Sequence, residues 1–402
     1  MNQQVRTALV IGGGIAGPVT AMALRRAGIE ATVFEAYATR ADEKGSALSI
    51  APNGLAALEA IGAGRLLREC GVPMTAIVLE SWTGKRLAEI STPPELEPMR
   101  FVLRTELYRG LYREAERRGV EIVHGKRLVD ATETSDGVTA RFADGGTATA
   151  DLLVGADGLR STVRRLIDPA APDPQYAGLL GFGALLPDSG LASTGGRMHM
   201  AFGKRCFFGL QVFADSSAVW FVNLPHRTPL TTAECARLGP EHWLPVLREA
   251  VAEDRSPALE LLGRTAPEQF LTTGAVESMP RVPHWHRGRL VLVGDSAHAP
   301  SSSSGQGASL ALESAVELAR CVRDLPLPQA LAAYEGLRRP RVERIIRNAE
   351  RTNSEKAAGP VGRVLRDLLL PVLMKSAKPA KFAWQFDHRI DFTAPVSPGT
   401  AG

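Results

Sequence analysis

Residues 7–17 read Thr-Ala-Leu-Val-Ile-Gly-Gly-Gly-Ile-Ala-Gly, and residues 30–35 read Glu-Ala-Thr-Val-Phe-Glu; this N-terminal segment indicates the fold class. It begins with an apolar run, passes through a glycine turn and an uncharged segment, and ends in a β-branched and aromatic run. That order predicts a strand, a helix and a second strand. The chain therefore opens with a βαβ unit, which is typical of a Rossmann-like α/β fold.

Three glycines in the turn have the spacing Gly12-x-Gly14-x-x-Gly17. The first allows a tight turn, the second lets the backbone approach a pyrophosphate, and the third lets the helix pack closely on the strand. The helix N-terminus then offers N–H groups to phosphates, and Glu35 ends the second strand where an acid binds ribose hydroxyls. The alternative is a glycine-rich turn without a ligand. The residues predicted to hold an adenine dinucleotide here are Gly12, Gly14, Ile15, Ala16, Gly17 and Glu35.

Composition excludes several classes of protein. Of 402 residues, 45% are hydrophobic and 22% are charged, which is ordinary globular usage and excludes disorder, collagen and disulfide scaffolds. The net charge is +4 and the basic residues are spread along the chain, so no nucleic-acid partner is expected. Four scattered cysteines predict a reduced, cytoplasmic protein. Glycines and Pro18 interrupt the uncharged stretch 7–24, so neither a signal peptide nor a membrane span is expected.

Two later motifs each follow an apolar strand. The first is Gly-Ala-Asp-Gly-Leu-Arg-Ser-Thr-Val-Arg over residues 155–164. The second is Gly-Asp-Ser-Ala-His-Ala-Pro over residues 294–300, and it closes with Gly-Gln-Gly over residues 305–307. Each motif alone could be a turn, because Asp157 could cap a helix and Asp295 could satisfy loop amides.

Together, in this order and at these separations, the three motifs resemble the group A flavoprotein monooxygenases, the aromatic hydroxylases of the para-hydroxybenzoate hydroxylase type. The resemblance covers roughly residues 5–350. It implies FAD as cofactor and NADPH or NADH as a transient reductant, consistent with the lack of a second GxGxxG after a strand. It also implies that Asp295 binds the ribityl chain and that a helix N-terminus meets the flavin pyrimidine, where its dipole favours anionic reduced flavin. The further FAD contacts that the resemblance implies are Arg104, Asp157, Gly158, Asp295, Gly305, Gln306 and Gly307.

The resemblance implies a monooxygenase that uses NAD(P)H and O2. A flavin C4a-hydroperoxide would hydroxylate or epoxidise an aromatic or polyketide-like hydrophobic molecule, and because the cofactor performs the difficult chemistry no catalytic acid or base is predicted. One alternative is a flavin-dependent halogenase, although the five tryptophans include no Trp-x-Trp pair. Another is a non-catalytic flavin- or ligand-binding protein. Its one support is that Ser301-Ser302 stand where relatives have prolines. The chain also has Glu313-Ser314 where relatives commonly have an acidic pair.

All three glycine turns must meet one FAD, so the FAD-binding domain is predicted to be discontinuous. It comprises residues 1–75, 100–175 and 281–328. A mixed β-sheet domain for the substrate, residues 76–99 and 176–280, is inserted in it. Residues 329–402 form C-terminal helices and a tail, with 386–402 expected to be loose. The protein is expected to be a monomer or a homodimer.

The substrate site is the part of the protein that the sequence predicts least well. By family analogy, strands within 197–213 and 218–223 cover the flavin, and segments 44–46 and 48–50 approach it. Because side chains alternate along a strand, only half of these candidates face the substrate, and the sequence leaves the phase open. The candidate substrate contacts are Phe207, Phe208, Gln211, Trp220, Asn223 and Ser301.

Other polar residues have ordinary explanations. His284 and His286 invite a metal site, but no third ligand has a recognisable spacing, so no metal is predicted. His298 could be a base or a buried structural histidine. The arginines of 338–347 suit a solvated face or a domain contact. A serine nucleophile within 301–304 lacks the Gly-x-Ser-x-Gly elbow.

Overall fold

A six-stranded sheet carries the three glycine motifs. The computed structural model describes residues 4–39, 47–301, 304–356, 359–376 and 383–397. Five strands of the sheet are parallel and the edge strand β18 is antiparallel, which confirms the Rossmann-like α/β class. In spatial order the strands are β18 (His286–Arg287), β19 (Leu290–Leu292), β12 (Leu152–Gly155), β1 (Thr7–Ile11), β2 (Glu30–Phe34) and β8 (Glu121–Val123).

Helices pack on this sheet and close its apolar core. The predicted helix after the glycine turn and the long helix from residue 307 are present, and they pack on each other. Their buried faces belong to one continuous core with the sheet strands. The helices of this part of the chain are α1 (Ala16–Arg26), α2 (Pro52–Ala60), α3 (Gly64–Cys70), α4 (Arg104–Arg117), α5 (Thr162–Ile167), α8 (Gly307–Asp324) and α9 (Leu327–Lys356).

A seven-stranded sheet is the second large sheet of the protein. It is antiparallel except for the parallel pair β5 and β14. Helices α6 (Thr232–Val251) and α7 (Ala258–Arg264) bury their apolar residues against one face. In spatial order the strands are β17 (Phe270–Ser278), β13 (Gln175–Leu186), β16 (Ala218–Pro225), β15 (Phe207–Val212), β14 (Arg197–Phe202), β5 (Ala76–Ser81) and β6 (Arg86–Ser91).

Two small antiparallel sheets contain the other strands of the described residues. The meander predicted after residue 121 is the first. The second packs between the seven-stranded sheet and the start of α2, and so helps to form the site. The first contains β9 (Leu128–Glu133), β10 (Val138–Phe142) and β11 (Thr147–Ala150); the second contains β3 (Ala47–Ile50), β7 (Met99–Leu103) and β4 (Val72–Met74).

The C-terminal part is more tightly attached than the sequence suggested. Helix α10 (Pro360–Ser376) follows α9, and the described segment 383–397 then runs back along α8. The Arg320 guanidinium donates to the Ala394 carbonyl oxygen at 3.3 Å, and the Val396 amide donates to the Asp324 carboxylate at 2.9 Å. The expectation of a loose tail is therefore wrong for residues 386–397.

Strand register settles the phase that the sequence left open. Phe207 pairs with Asn223, and Gln211 pairs with Val219, so these side chains share one face of the seven-stranded sheet. Leu210 pairs with Trp220 on the opposite face, under α6 and α7. The Trp220 indole is fully buried there and donates to the Thr265 hydroxyl at 3.0 Å. Trp220, like Phe208, is therefore a core residue by placement, and we leave it out of the substrate site.

This placement can be tested by replacing Trp220 with leucine. The substitution should lower the free energy of unfolding by about 2–4 kcal/mol, because it opens a cavity and leaves the Thr265 hydroxyl without its donor. Binding of cofactor and of any substrate should not change. Chemical denaturation measures the free energy of unfolding. The matched variant is Phe221→Leu, because Phe221 lies on the opposite face of the sheet. A stable Trp220→Leu protein with weakened substrate binding would contradict the placement.

Candidate active site

The glycine turn is shaped by close backbone contacts. Gly12 has φ +108°, and a Cβ there would lie 2.4 Å from the Ala156 carbonyl oxygen. A Cβ on Gly17 would lie 1.9 Å from the Gly12 carbonyl oxygen. A Cβ on Gly14 would meet only the Tyr108 hydroxyl, at 3.9 Å. Gly12 and Gly17 are therefore required by packing, whereas Gly14 faces open space on one side of the turn.

Glu35 and the start of α1 border this open side. The Glu35 carboxylate accepts the Gly13 amide at 2.6 Å and the Tyr37 amide at 2.9 Å, which holds it at the end of β2. Ile15 is the N-cap of α1, and among the described residues no side chain caps this end. The first N–H groups of α1, beginning at Ala16, therefore carry the positive end of the helix dipole.

Helix α4 lies across the turn and presents three side chains spaced by four residues. The Arg104 Nε donates to the Tyr108 hydroxyl at 2.7 Å, and the guanidinium lies over the Tyr108 ring, 5.2 Å from its centroid. The Tyr112 hydroxyl donates to the Gly13 carbonyl oxygen at 2.8 Å. Sequence analysis found Arg104 but missed both tyrosines. Their spacing of four and eight residues from Arg104 was the available signal, because such residues share a helix face.

The Asp157 motif orders the chain around it. The Asp157 carboxylate accepts the Thr162 amide at 2.7 Å and the Val163 amide at 3.1 Å, so it caps α5. Burial raises the pKa of this carboxyl, and the hydrogen bond from Ser161 opposes that effect. Gly158 has φ +73°, and no atom lies within 4 Å of a Cβ there. The capping role that the sequence left open is thus present, and FAD contact at Asp157 and Gly158 stays a prediction.

Asp295 and Arg104 are brought together from separate parts of the chain. Asp295 follows Gly294, whose φ is +64°, and its side chain is exposed at the end of the six-stranded sheet. Desolvation by the surrounding protein raises the pKa of this carboxyl, and the positive charge of the nearby Arg104 guanidinium opposes that effect. We call Glu35, Gly14, Arg104, Tyr108 and Asp295 the nucleotide face.

The turn 305–307 begins helix α8. Gly305 has φ +60°, and Gly307 is the first residue of the helix. The Gln306 side chain is buried; its Oε1 accepts from Asn53 Nδ2 at 3.0 Å, and its Nε2 has no partner among the described residues. Ser301 is buried just before this turn, while Ser302 and the segment 44–46 lie outside the described residues.

An apolar interface lies between the seven-stranded sheet and the small sheet containing β3, β4 and β7. Phe101 and Phe213 meet there with ring centroids 5.4 Å apart. Gln211 faces it and is 1% exposed, and neither atom of its amide has a partner in the described part of the chain. Phe207, and Asn223 opposite it, lie farther along the same face, and Phe207 packs with Leu87 and Phe202. The buried residues of the interface are Ala51, Met74, Met99, Phe101, Met198 and Val219.

His298 and His286 have structural partners. His298 is buried, and its Nε2 is 2.8 Å from the Ser314 hydroxyl. Burial, with Arg338 nearby, lowers the pKa of His298 to about 3, which makes it neutral near pH 7. His286 lies 3.6 Å from Glu335, and among the described residues no group of three or more His, Cys, Asp or Glu side chains could hold a metal ion.

Comparison with known proteins now bears on this arrangement. The FAD binding domain family matches residues 5–219 and 259–349. The chain is 33% identical over 385 residues to the 3-amino-4-hydroxybenzoate 2-monooxygenase PtmB3 of Streptomyces platensis, covering 92% of this chain and 93% of the relative. It is 29% identical over 352 residues to an FAD-dependent urate hydroxylase of Klebsiella pneumoniae, covering 86% and 88%. The structure of Klebsiella pneumoniae HpxO with FAD and uric acid has a TM-score of 0.83 at 25% identity, covering 95% and 96%.

The chain belongs to the FAD-binding domain family. This confirms the predicted kinship with the group A flavoprotein monooxygenases, the fold class, the cofactor FAD and the prediction of an FAD-dependent monooxygenase. Among the described residues of this FAD-binding protein, no helix is both long enough and apolar enough to cross a membrane.

The described residues fit FAD. Gly14 is open on the side of the nucleotide face, where a pyrophosphate needs close backbone approach. The Arg104 guanidinium and the start of α1 supply positive charge at the same place. At the start of α8, the buried Gln306 Nε2 has no partner among the described residues.

A pair of glycine variants separates binding from folding. Gly14→Val should fold normally and lose FAD, because its side chain enters the pyrophosphate position without meeting protein. Gly17→Val should fail to fold, because its Cβ would collide with the Gly12 carbonyl oxygen. Flavin absorbance after purification and circular dichroism measure the two effects. Normal FAD retention in Gly14→Val would refute the assigned phosphate turn.

His298 predicts an acid-dependent loss of stability. Its pKa is about 3 in the folded protein and near 6.5 in the unfolded chain, so the unfolded state takes up a proton first as the pH falls. The free energy of unfolding should fall by about 1 kcal/mol per pH unit below pH 6.5 on this account. Denaturation between pH 7 and pH 4.5 should show a smaller slope in His298→Asn, with the exposed His242→Asn as the matched variant. An unchanged slope in His298→Asn would contradict a neutral buried imidazole.

Proposed function

We propose that this chain is an NAD(P)H-dependent FAD monooxygenase that hydroxylates or epoxidises a hydrophobic aromatic or polyketide-like molecule. The observation that carries the proposal is the position of the nucleotide face. It leads from the open side of Gly14 through Arg104 to Asp295. Leu103, directly before Arg104, packs against the apolar interface, and the amide of Ala51 in that interface donates to the Ser309 hydroxyl of α8 at 3.0 Å. A cofactor-binding surface and an apolar surface thus meet at one place.

The residues of this chain would bind and orient the cofactor. Gly14 and the start of α1 would contact the pyrophosphate, Glu35 the adenosine ribose, and Asp295 the ribityl hydroxyls. The N-terminus of α8 would lie at the flavin pyrimidine, where its dipole stabilises negative charge. When bound, FAD supplies the chemistry of hydride acceptance and oxygen activation.

The reductant is proposed as NADPH or NADH. Support comes from the sequence, which has no second GxGxxG after a strand, so a nicotinamide nucleotide would bind transiently to the FAD domain. We propose that this domain comprises residues 1–75, 100–175 and 281–328. Its inserted partner, residues 76–99 and 176–280, would contribute the substrate-facing side of the seven-stranded sheet.

The apolar interface supports an aromatic substrate. Phenylalanine and methionine side chains line it, and the Gln211 amide offers a donor NH2 group and an acceptor oxygen there. Such a surface favours a flat apolar molecule that carries a few polar groups at its edge. The relatives named above act on urate and on an aminohydroxybenzoate, and another, from Stigmatella aurantiaca, is an aurachin C monooxygenase/isomerase. We extend the aromatic character, and none of these particular substrates, to this chain.

The function is tested by turnover with a panel of phenols, hydroxybenzoates, quinolones and polyketides. The purified protein should show bound flavin, and a substrate should accelerate NADPH or NADH oxidation and acquire one oxygen atom from labelled O2, read by mass spectrometry. No flavin on purification or reconstitution would contradict the proposal. Flavin without substrate-stimulated oxidation would favour a non-catalytic flavin-binding protein, and halide-dependent products would favour a halogenase.

Arg104 should contribute to FAD affinity through its charge. Arg104→Met should raise the dissociation constant for FAD about tenfold, the equivalent of about 1.4 kcal/mol. Arg109→Met is the matched variant, because Arg109 is on the same helix and pairs with Glu106 at 2.6 Å. Titration of apoprotein with FAD, followed by flavin fluorescence, gives both constants. Equal constants for the two variants would remove Arg104 from the cofactor site.

A further inference from the structure

A chain of buried polar groups connects the C-terminal segment to the turn that begins α8. We propose that the Gln306 side-chain amide donates to a carbonyl oxygen of the flavin pyrimidine, and that Asn53 and Glu313 are positioning residues that fix the direction of this amide. The proposal rests on FAD binding at the site described above. It assigns a role to side chains for which the sequence suggested only a backbone contact or none.

Gln306 has a donor in need of an acceptor. Its side chain is 1% exposed and lies directly before the first residue of α8. Its Oε1 accepts from Asn53, while its Nε2 has no partner among the described residues. A buried donor that stays unpaired loses its hydrogen bond to water without replacement, so this position favours a ligand with an acceptor.

Asn53 determines which end of the Gln306 amide is free. The Asn53 Nδ2 donates both to Gln306 Oε1, at 3.0 Å, and to Glu313 Oε1, at 2.6 Å. An amide NH2 group has two donors, and both are used here. Since the Asn53 nitrogen is the donor in this contact, the Gln306 oxygen must be the acceptor. The Gln306 nitrogen therefore points away from this contact.

Glu313 prevents the Asn53 amide from turning so that its oxygen, rather than its nitrogen, faces Gln306 and Glu313. The carboxylate is fully buried and lies 2.6 Å from the Arg338 Nη2 and 2.9 Å from both Nε and Nη2 of Arg341. Burial alone would raise the pKa of Glu313, but the two arginines outweigh it and lower the pKa to about 2. An ionised carboxylate only accepts hydrogen bonds. Asn53 must consequently present its nitrogen to Glu313.

The C-terminal segment holds the arginine that pairs with Glu313. The Arg341 guanidinium donates to the carbonyl oxygens of Trp384, at 2.7 Å, and Gln385, at 2.9 Å. The neighbouring Arg344 guanidinium lies over the Trp384 ring, 3.7 Å from its centroid. The basic helix α9 is therefore a contact surface for residues 383–397, and the orientation of Gln306 depends on it.

The flavin pyrimidine suits the two free amide atoms. This ring has two carbonyl oxygens with an imide N–H between them. The Gln306 Nε2 matches a carbonyl oxygen, and the Asn53 Oδ1, which also has no partner among the described residues, matches a donor. Hydrogen bonds to the ring tune its electronics, and a donor at a carbonyl favours the reduced form, in which that oxygen carries more negative charge.

The test compares variants along the chain of groups. Gln306→Met removes the donor at similar volume, and Glu313→Gln removes the charge that directs Asn53. Both should raise the dissociation constant for FAD about tenfold, or about 1.4 kcal/mol, and both should lower the flavin midpoint potential. Arg320→Met is the matched variant, and its FAD dissociation constant and midpoint potential should stay those of the wild type. Arg320 holds the same C-terminal segment through Ala394 but pairs with Glu317 rather than Glu313.

The double variant decides between a chain of groups and two independent effects. Since Glu313 acts through the Asn53 and Gln306 amides, the loss of FAD affinity in Gln306→Met with Glu313→Gln should be smaller than the sum of the two single losses. Additive losses would overturn the positioning role of Glu313. Wild-type affinity and potential in Gln306→Met would overturn the flavin contact.

Two controls separate failure of folding from failure of the proposal. Circular dichroism of each variant confirms folding. If Glu313→Gln does not fold, Asn53→Leu removes the amide that directs Gln306 at similar volume, and it should lower the midpoint potential in the same direction; an unchanged potential would contradict the proposal. A wild-type protein that binds no FAD would instead contradict the proposed function.

Discussion

The parallel pairing of β12 with β1 on one side and β19 on the other is the constraint on which the rest of the site depends. Leu153 pairs with Leu9 and with Leu290, so three strands far apart in the sequence are neighbours. Parallel neighbours end at the same edge of a sheet. The glycine motifs that follow them therefore meet, although nearly 300 residues of chain separate the first from the last.

Buried hydrogen bonds keep these motif turns together. The Arg164 guanidinium, 1% exposed, donates to the Ser296 carbonyl oxygen at 3.1 Å and to the Leu159 carbonyl oxygen at 2.8 Å. The Ser296 hydroxyl donates to the Gly155 carbonyl oxygen at 2.6 Å. The turns after β12 and β19 are thus one hydrogen-bonded unit, with Asp157 inside it as a helix cap and Asp295 at its surface.

Much of the fold and cofactor site was predictable, because local sequence and backbone conformation determine them. Gly12 and Gly17 are required by contacts within a few residues or with the adjacent strand, and Arg104 begins a helix of regular spacing. The substrate-facing residues could not be predicted in the same way. Phe207, Phe208, Gln211 and Trp220 lie on two strands whose alternation permits two phases, and both phases are apolar. Packing of α6 and α7 against the Trp220 face selects one of them.

The βαβ opening, the glycine turns and the family follow from the sequence alone, because each depends on residues that are close together along the chain. Three other features depend on tertiary contacts: Glu313 directs Asn53 and Gln306, α9 holds the C-terminal segment, and Gln211 rather than Trp220 faces the apolar interface. The physical reason is distance along the chain. An ion pair between Glu313 and Arg338, or a hydrogen bond from Asn53 to Glu313, exists only after helices from separate regions have packed together.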